Sequence, residues 1–229
     1  MPCIPVTTMK HLLILTTFFL PPSIFSAQPA SAGAAEGKVL FEDNFQGHLA
    51  DRWDWIREHA DHWCVRDGAL EIRVVPGRAD TVKNALVRPA PPRSKTPYAI
   101  DLTVTNLSPP TEQWEQAGIT WYQNGKPVFK LVKELVDGKV MIIPGRKPID
   151  SKTVQLRLVL TADSYTAMFR EEGRGEFQVA ATGKLPPSER EQVSIQCYNG
   201  PPDAEHWIRF DHFRIAKLAD AADPPETTE

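Results

Sequence analysis

The 229-residue chain lacks the signatures of several protein classes. It has no C-x-x-C pair and no H-E-x-x-H motif, which leaves a zinc centre without support from either pattern. No G-x-S-x-G elbow occurs, so acyl transfer by an activated serine has no signal. Basic charge is not in excess: 26 Lys and Arg are scattered among 29 Asp and Glu, giving a formal net charge of -3 and a pI near 6.1. A stripe able to neutralise phosphates is missing, and no nucleic-acid partner is suggested. No repeat with a period of roughly 20 to 50 residues is present, which argues against a propeller or solenoid. Amphipathic helices are also missing, apart from one turn expected at Ser188 to Gln192.

Long apolar runs are confined to the N-terminus. Leu12 to Leu20 follows Lys10 and His11 and precedes Pro21-Pro22, and Ala30-Ser31-Ala32 fits a small-residue cleavage site. Residues 1–32 therefore read as an export signal, which would make the protein secreted or periplasmic with no membrane attachment after cleavage. A membrane anchor is the alternative, but the run falls well short of the roughly 20 residues that span a bilayer. Cleavage near Ala32 would remove Cys3 and leave Cys64 and Cys197 in an oxidising compartment. A bond between them and two separate thiols both remain open. Alternation puts Cys197 inward with Val193 and Ile195, and turns Cys64 the other way.

What is abundant is turn chemistry. Twenty-one prolines and 13 glycines punctuate short runs of β-branched and aromatic residues. The stretch from Trp114 to Val132 reads as a β-hairpin, with Asn124-Gly125 supplying the positive φ of a tight turn. Period-2 alternation places Ile119 and Trp121 on one face and Thr120 and Tyr122 on the other. Similar strands are expected from Val39 to Phe45, Ala69 to Val75, Tyr98 to Leu107, Val154 to Leu160, Val193 to Tyr198 and Trp207 to Lys217. About a dozen short strands, joined by turns such as Asp67-Gly68 and Asp137-Gly138, predict one all-β domain over residues 33–218. A small polar tail, 219–229, follows it.

Several constellations are candidates for chemistry. Glu112 and Glu115 are three apart and would not face together, and Glu171 and Glu172 lie beside a turn. Neither pair makes a glycosidase dyad, which leaves Glu134 as the acid to test. Glu58, His59, Asp61 and His62 hold donors suited to zinc or another transition metal, against the plainer reading of a solvated loop between tryptophans. Flat aromatic rings match the apolar face of a pyranose, and neighbouring amides and charges take its hydroxyls. Trp55, Tyr122 and Trp207, with Gln123, Lys130 and His206 as polar companions, are the candidate ligand-binding residues. Trp121 is a further aromatic candidate, although it, Trp53 and Trp63 are the tryptophans expected in the core.

Three segments carry a family resemblance: Phe41 to Phe45, Trp53 to Glu58, and Trp63 to Ile72. Asn84 to Pro91, Glu115 to Gln123 and Phe210 to Ile215 extend it. Together they resemble the concanavalin A-like domain at the C-terminus of family 43 β-xylosidases, over roughly Val39 to Lys217. The resemblance implies a jelly-roll sandwich of two antiparallel sheets, related to lectins and laminin G-like domains, often with a structural calcium ion. Calcium wants several oxygen ligands. The first and last strands would supply them, with Asp43 and Asp211 as the metal candidates and Glu42 beside them. Pairing of these acids with Arg209 or Arg214 is the alternative. In those xylosidases the chemistry belongs to a separate propeller, so the resemblance implies carbohydrate recognition, of an oligo- or polysaccharide, without a catalytic centre. Trp63 to Leu70 also matches the W-x-V-x-D-G-x-L segment of 3-keto-disaccharide hydrolase domains, which keeps a glycoside-processing enzyme as the alternative. A structural or protein-interaction domain is the third reading.

Overall fold

Alternation of apolar and polar side chains drives the chain into two stacked sheets. The structure is a computed structural model, and it describes residues 36–172 and 175–218. The export signal and the polar tail expected from the sequence lie outside the described residues.

Eight strands form one antiparallel sheet: β1 (Glu36–Asp43), β3 (Trp63–Arg66), β4 (Ala69–Val74), β6 (Tyr98–Asn106), β11 (Thr153–Leu160), β12 (Ser164–Glu171), β13 (Gln178–Lys184) and β15 (His206–Leu218). Their order is β13-β12-β11-β6-β15-β4-β3, with β1 pairing onto β15. Seven strands form the other sheet: β2 (Asp54–Ile56), β5 (Ala85–Pro89), β7 (Gln116–Gln123), β8 (Lys126–Val136), β9 (Lys139–Ile143), β10 (Lys147–Pro148) and β14 (Glu191–Tyr198). Their order is β10-β9-β8-β7-β14-β5-β2. Meanders at the ends of the sheets (β11 to β13, β7 to β10) flank central strands that pair across the sequence (β11-β6-β15-β4 and β7-β14-β5-β2), the expected concanavalin A-like jelly roll.

The core fills the space between the sheets. Leu70 and Ile72 of β4, Ile100 and Leu102 of β6, Leu156 and Leu158 of β11, and Ile208 and Phe210 of β15 meet Ile119, Trp121, Leu131, Val193 and Ile195 from the opposing sheet. All are fully or almost fully buried. Burying one such side chain stabilises by roughly 1.5–3 kcal/mol relative to leaving it exposed. Trp53 and Trp63 pack against this core half-buried, whereas Trp121 is inside it.

Turn chemistry fixes the register. Asp67-Gly68, Asn124-Gly125 and Asp137-Gly138 each have positive φ at both residues, the backbone that matches the twist of a two-residue hairpin. Several boundaries differ from the sequence expectation. Strand β1 ends at Asp43, and β8 runs to Val136, because β9 continues the ladder beyond the end of β7. The turn expected at Ser188 to Gln192 is not helical, and Glu191 instead opens β14 opposite Gln123. A short 3-10 helix, η1 (Ala60–His62), occupies the polar loop before β3. Cys197 is a free, fully buried thiol, so the Cys64–Cys197 bond is not formed. Its sulfur points into the core toward the Ile72 carbonyl at 3.7 Å, whereas Cys64 pairs in register with Glu71, away from the core residues of β4.

Gly118 is where β7 has no room for a side chain. Its φ is +152°, and a Cβ there would sit 2.5 Å from the Leu131 carbonyl oxygen and 2.9 Å from Leu156 Cδ1. Gly118→Ala is expected to destabilise the sandwich by about 2 kcal/mol or more, read as a lowered midpoint in urea unfolding. An unchanged midpoint would show that β7 can shift to accept the methyl group.

Candidate functional site

The two central strands of the seven-stranded sheet are covered on both faces. Almost every residue of β7 and β14 is buried. Their core face is apolar, and their other face is polar. Register places Gln116, Thr120 and Tyr122 of β7 beside Ser194, Gln196 and Tyr198 of β14 on that second face, with Lys130 and Glu134 of β8 alongside. A loop covers part of it: Val82 and Ala79 pack with Ala85, Ile56 and Tyr198.

Buried polar groups must find partners, and most here do. Lys130 Nζ donates to Gln116 Oε1 at 2.7 Å and to Glu134 Oε2 at 2.8 Å. Gln116 Nε2 donates to Glu134 Oε1 at 3.3 Å and to the Trp114 carbonyl at 2.8 Å. The Glu134 side chain is 6% exposed and that of Lys130 32%, so the pair is screened from water on the acid's side. Tyr122 donates its hydroxyl to Gln196 Oε1 at 2.9 Å, which also accepts from Ser194 Oγ at 3.1 Å. Burial pushes the Tyr122 phenol up to about 12, so it stays a donor at neutral pH.

Two atoms on this face lack a partner. Thr120 Oγ1 and Gln196 Nε2 are both buried without a hydrogen bond. Thr120 forms part of the wall of a cavity of about 350 Å³ with Phe129, Lys130, Ile143, Tyr165 and Tyr198. The rings of Phe129 and Tyr165 lie 4.3 Å apart at its edge. Trp114, just before β7, is 57% exposed beside Gln116.

Of the six ligand-binding candidates from the sequence, Tyr122 and Lys130 share this face. The other four do not join them. Trp55 turns inward opposite Leu86 and packs on Trp63 with ring centroids 4.7 Å apart. Gln123 is taken up at the strand end, donating to the Pro186 carbonyl and to Glu191. His206 belongs to the other sheet and is buried, with Nδ1 2.8 Å from Glu115 Oε1. Trp207 pairs with Arg73 on the eight-stranded sheet, on the opposite face from Ile208 and Phe210. Trp121 is core, and its indole N–H donates to Glu191 at 3.1 Å.

The two metal candidates are also separated. Asp43 is buried, and its carboxylate accepts the N–H groups of Phe45, Ala50 and the Trp53 indole at 2.8–2.9 Å. An acid aimed at three N–H donors is a structural pin and a poor calcium ligand. Asp211 lies in a polar concavity with Glu42, Asn44, Gln46, Asp67, Gly68 and His212. Among the other acids, Glu115 Oε2 accepts the backbone N–H groups of Thr111 and Glu112, and Glu171 accepts those of Asp150 and Ser151. Glu58 accepts the Trp63 indole N–H at 3.1 Å.

Thr120, Gln196 and the cavity-lining Phe129, Tyr165 and Tyr198 were not among the sequence candidates. A signal for part of this set was present: Ser194-x-Gln196-x-Tyr198 alternates with Val193, Ile195 and Cys197. A polar row opposite an apolar row marks a second functional face as readily as solvent. Tyr165, by contrast, comes from the other sheet, and only folding brings it to Phe129.

No protein-family model and no curated protein sequence matches the chain. Solved structures do resemble it. The GH43 protein BlXynB of Bacillus licheniformis superposes with a TM-score of 0.63 at 19% identity, over 76% of this chain and 39% of that one. The xylan β-1,4-xylosidase of Bacillus halodurans C-125 gives 0.62 at 19% identity, over 86% and 41%. An endo-acting O-glycanase of the human gut microbiota gives 0.53 at 13% identity, over 80% of this chain and all of that one. The chain thus spans about two fifths of the xylosidases' length. The class defined is a concanavalin A-like sandwich of the type carried by family 43 xylosidases.

The Lys130–Glu134 pair gives the site its first test. Lys130→Met strands a buried carboxylate and should cost roughly 1–3 kcal/mol, and Lys130→Met with Glu134→Gln should recover part of it. A double-mutant cycle by urea unfolding should report coupling of about 0.5 kcal/mol or more, and strictly additive effects would show that the two groups do not support each other.

Proposed function

We propose that this chain is an exported, carbohydrate-recognising sandwich that binds sugar on the polar face of its seven-stranded sheet and has no catalytic centre of its own. The observation that carries this reading is the pair of unpartnered buried atoms, Thr120 Oγ1 and Gln196 Nε2. An unsatisfied buried polar group costs about 1–3 kcal/mol, and a bound hydroxyl would remove that cost. The surroundings suit a sugar: the Phe129, Tyr165 and Tyr198 rings offer apolar contact, and Lys130 offers a donor. Trp114 adds an exposed indole at the Gln116 end of the face. The GH43 xylosidases and the O-glycanase supply a carbohydrate context for the fold.

A glycoside-processing enzyme is the second reading, because the O-glycanase is matched along its whole length. The arrangement of acids favours binding. Glu134 is the single carboxylate that β7, β8 and β14 place on that face, and its oxygens are engaged by Lys130 and Gln116. Glycoside hydrolysis ordinarily needs two. The reading includes a structural calcium ion, which Asp211 and Glu42, with amide oxygen from Asn44, would hold as hard oxygen donors, without Asp43. Removing calcium with a chelator should then lower the melting temperature, and Asp211→Asn should abolish the difference.

Affinity electrophoresis against plant and microbial polysaccharides tests the main proposal. One glycan should retard the protein without producing new reducing ends. Thr120→Val should leave stability equal or higher, because it removes an orphaned hydroxyl, yet weaken retardation roughly three- to tenfold. Unchanged retardation in Thr120→Val would place binding elsewhere, and new reducing ends would favour the enzyme.

A further inference from the structure

Away from the polar face, the loop between β2 and β3 gathers His59, Asp61 and His62. One ligand atom from each lies within 4.8 Å of the others. The imidazoles stack nearly parallel, 14° apart with centroids at 5.5 Å. Nε2 of His62 is 3.8 Å from the Asp61 carboxylate, whereas its Nδ1 is shut inside the protein. The chemistry of that ring is therefore confined to the side that Asp61 shares.

The loop is held in this shape by contacts that do not use the three donor side chains. The backbone N–H of His59 donates to Asn84 Oδ1 at 2.6 Å. His62 N–H donates to the His59 carbonyl at 3.0 Å, closing η1. Arg57 Nε donates to the Val82 carbonyl at 2.7 Å, and Trp63 is fixed by Glu58 and by the Trp55 ring. Both histidine backbones are thus anchored, and the exposed Asp61 side chain is left to move.

We infer that His59, Asp61 and His62 form a site for a divalent transition ion of the zinc class. Two imidazole nitrogens and one carboxylate oxygen are the donors such ions take, and they leave a fourth position to water. Ligand bonds of about 2.0–2.1 Å put tetrahedral donors roughly 3.4 Å apart, so the cluster must tighten by up to about 1.4 Å, through rotamers of the exposed His59 and Asp61 side chains. Calcium is selected against, because it takes oxygen ligands in greater number. The site shares no residue with the sugar-binding face and stands or falls independently of it.

Cobalt(II) and zinc titrations of the full chain, expressed without an affinity tag, test the assignment. One equivalent of cobalt should give the visible absorption of a four-coordinate nitrogen and oxygen site, and zinc should displace it. His59→Ala and His62→Ala should each weaken binding at least about tenfold, and His59→Ala, which removes an exposed side chain, should leave the melting curve of the metal-free protein unchanged. Calcium should not displace cobalt. Absence of binding at millimolar cobalt, or full binding in the His59→Ala/His62→Ala double variant, would overturn the assignment.

Discussion

A strand covered on both faces must satisfy its polar groups without water, and that constraint organises this protein. In β7 and β14 one face is committed to the apolar core, so every amide and hydroxyl on the other face must be paired or left at a cost. The Lys130, Gln116 and Glu134 network and the Tyr122, Gln196 and Ser194 network meet that demand almost completely. What remains unmet on these two strands is Thr120 Oγ1, in the wall of a cavity, and Gln196 Nε2 on the neighbouring strand.

The same demand consumed many of the acids and aromatics that a sequence reader would assign to function. Glu191 accepts from Trp121, Gln123 and Arg93, joining two strands to the proline-rich loop before β6. Glu71 sits under Arg66 and Arg209, and Asp101 takes a two-point bond from Arg157 at 2.7 Å. Asp43 closes the turn after β1, and Glu115 holds His206 at the end of the sandwich. Each of these acids is buried or nearly so, and each would leave an uncompensated charge or open donors if replaced. Asp43, Glu115 and Glu191 act at strand ends, whereas Glu71 and Asp101 tie neighbouring strands together within the sheet.

How much of this was legible depended on range. Alternation in β4, β6 and β7, together with the Asp-Gly and Asn-Gly turns, is local, and it delivered the all-β class, the central hairpin and the inward set of residues. The strand and turn pattern pointed to a sandwich or jelly roll, and the family resemblance narrowed it to the concanavalin A-like type. Of the ligand-binding residues named from the sequence, only Tyr122 and Lys130 lie on the candidate face, both in the hairpin whose faces could be assigned from period two. Trp207 and His206 fall on the other sheet, which alternation could not foresee, because it says which face of a strand a residue takes but not which sheet the strand joins. The pairing of Phe129 with Tyr165, 36 residues later in the chain, depends on the two sheets being stacked, and no spacing rule encodes it.

The unpaired Cys197 has a consequence of its own. Its thiol is fully buried on the core face of β14, and burial raises its pKa far above the ordinary thiol value. An alkylating reagent that needs a solvated thiolate has no access to it while the two sheets stay stacked. The rate at which that sulfur is modified is therefore a clock for separation of the sheets, and the bare sequence already carries a reporter of how often the sandwich opens.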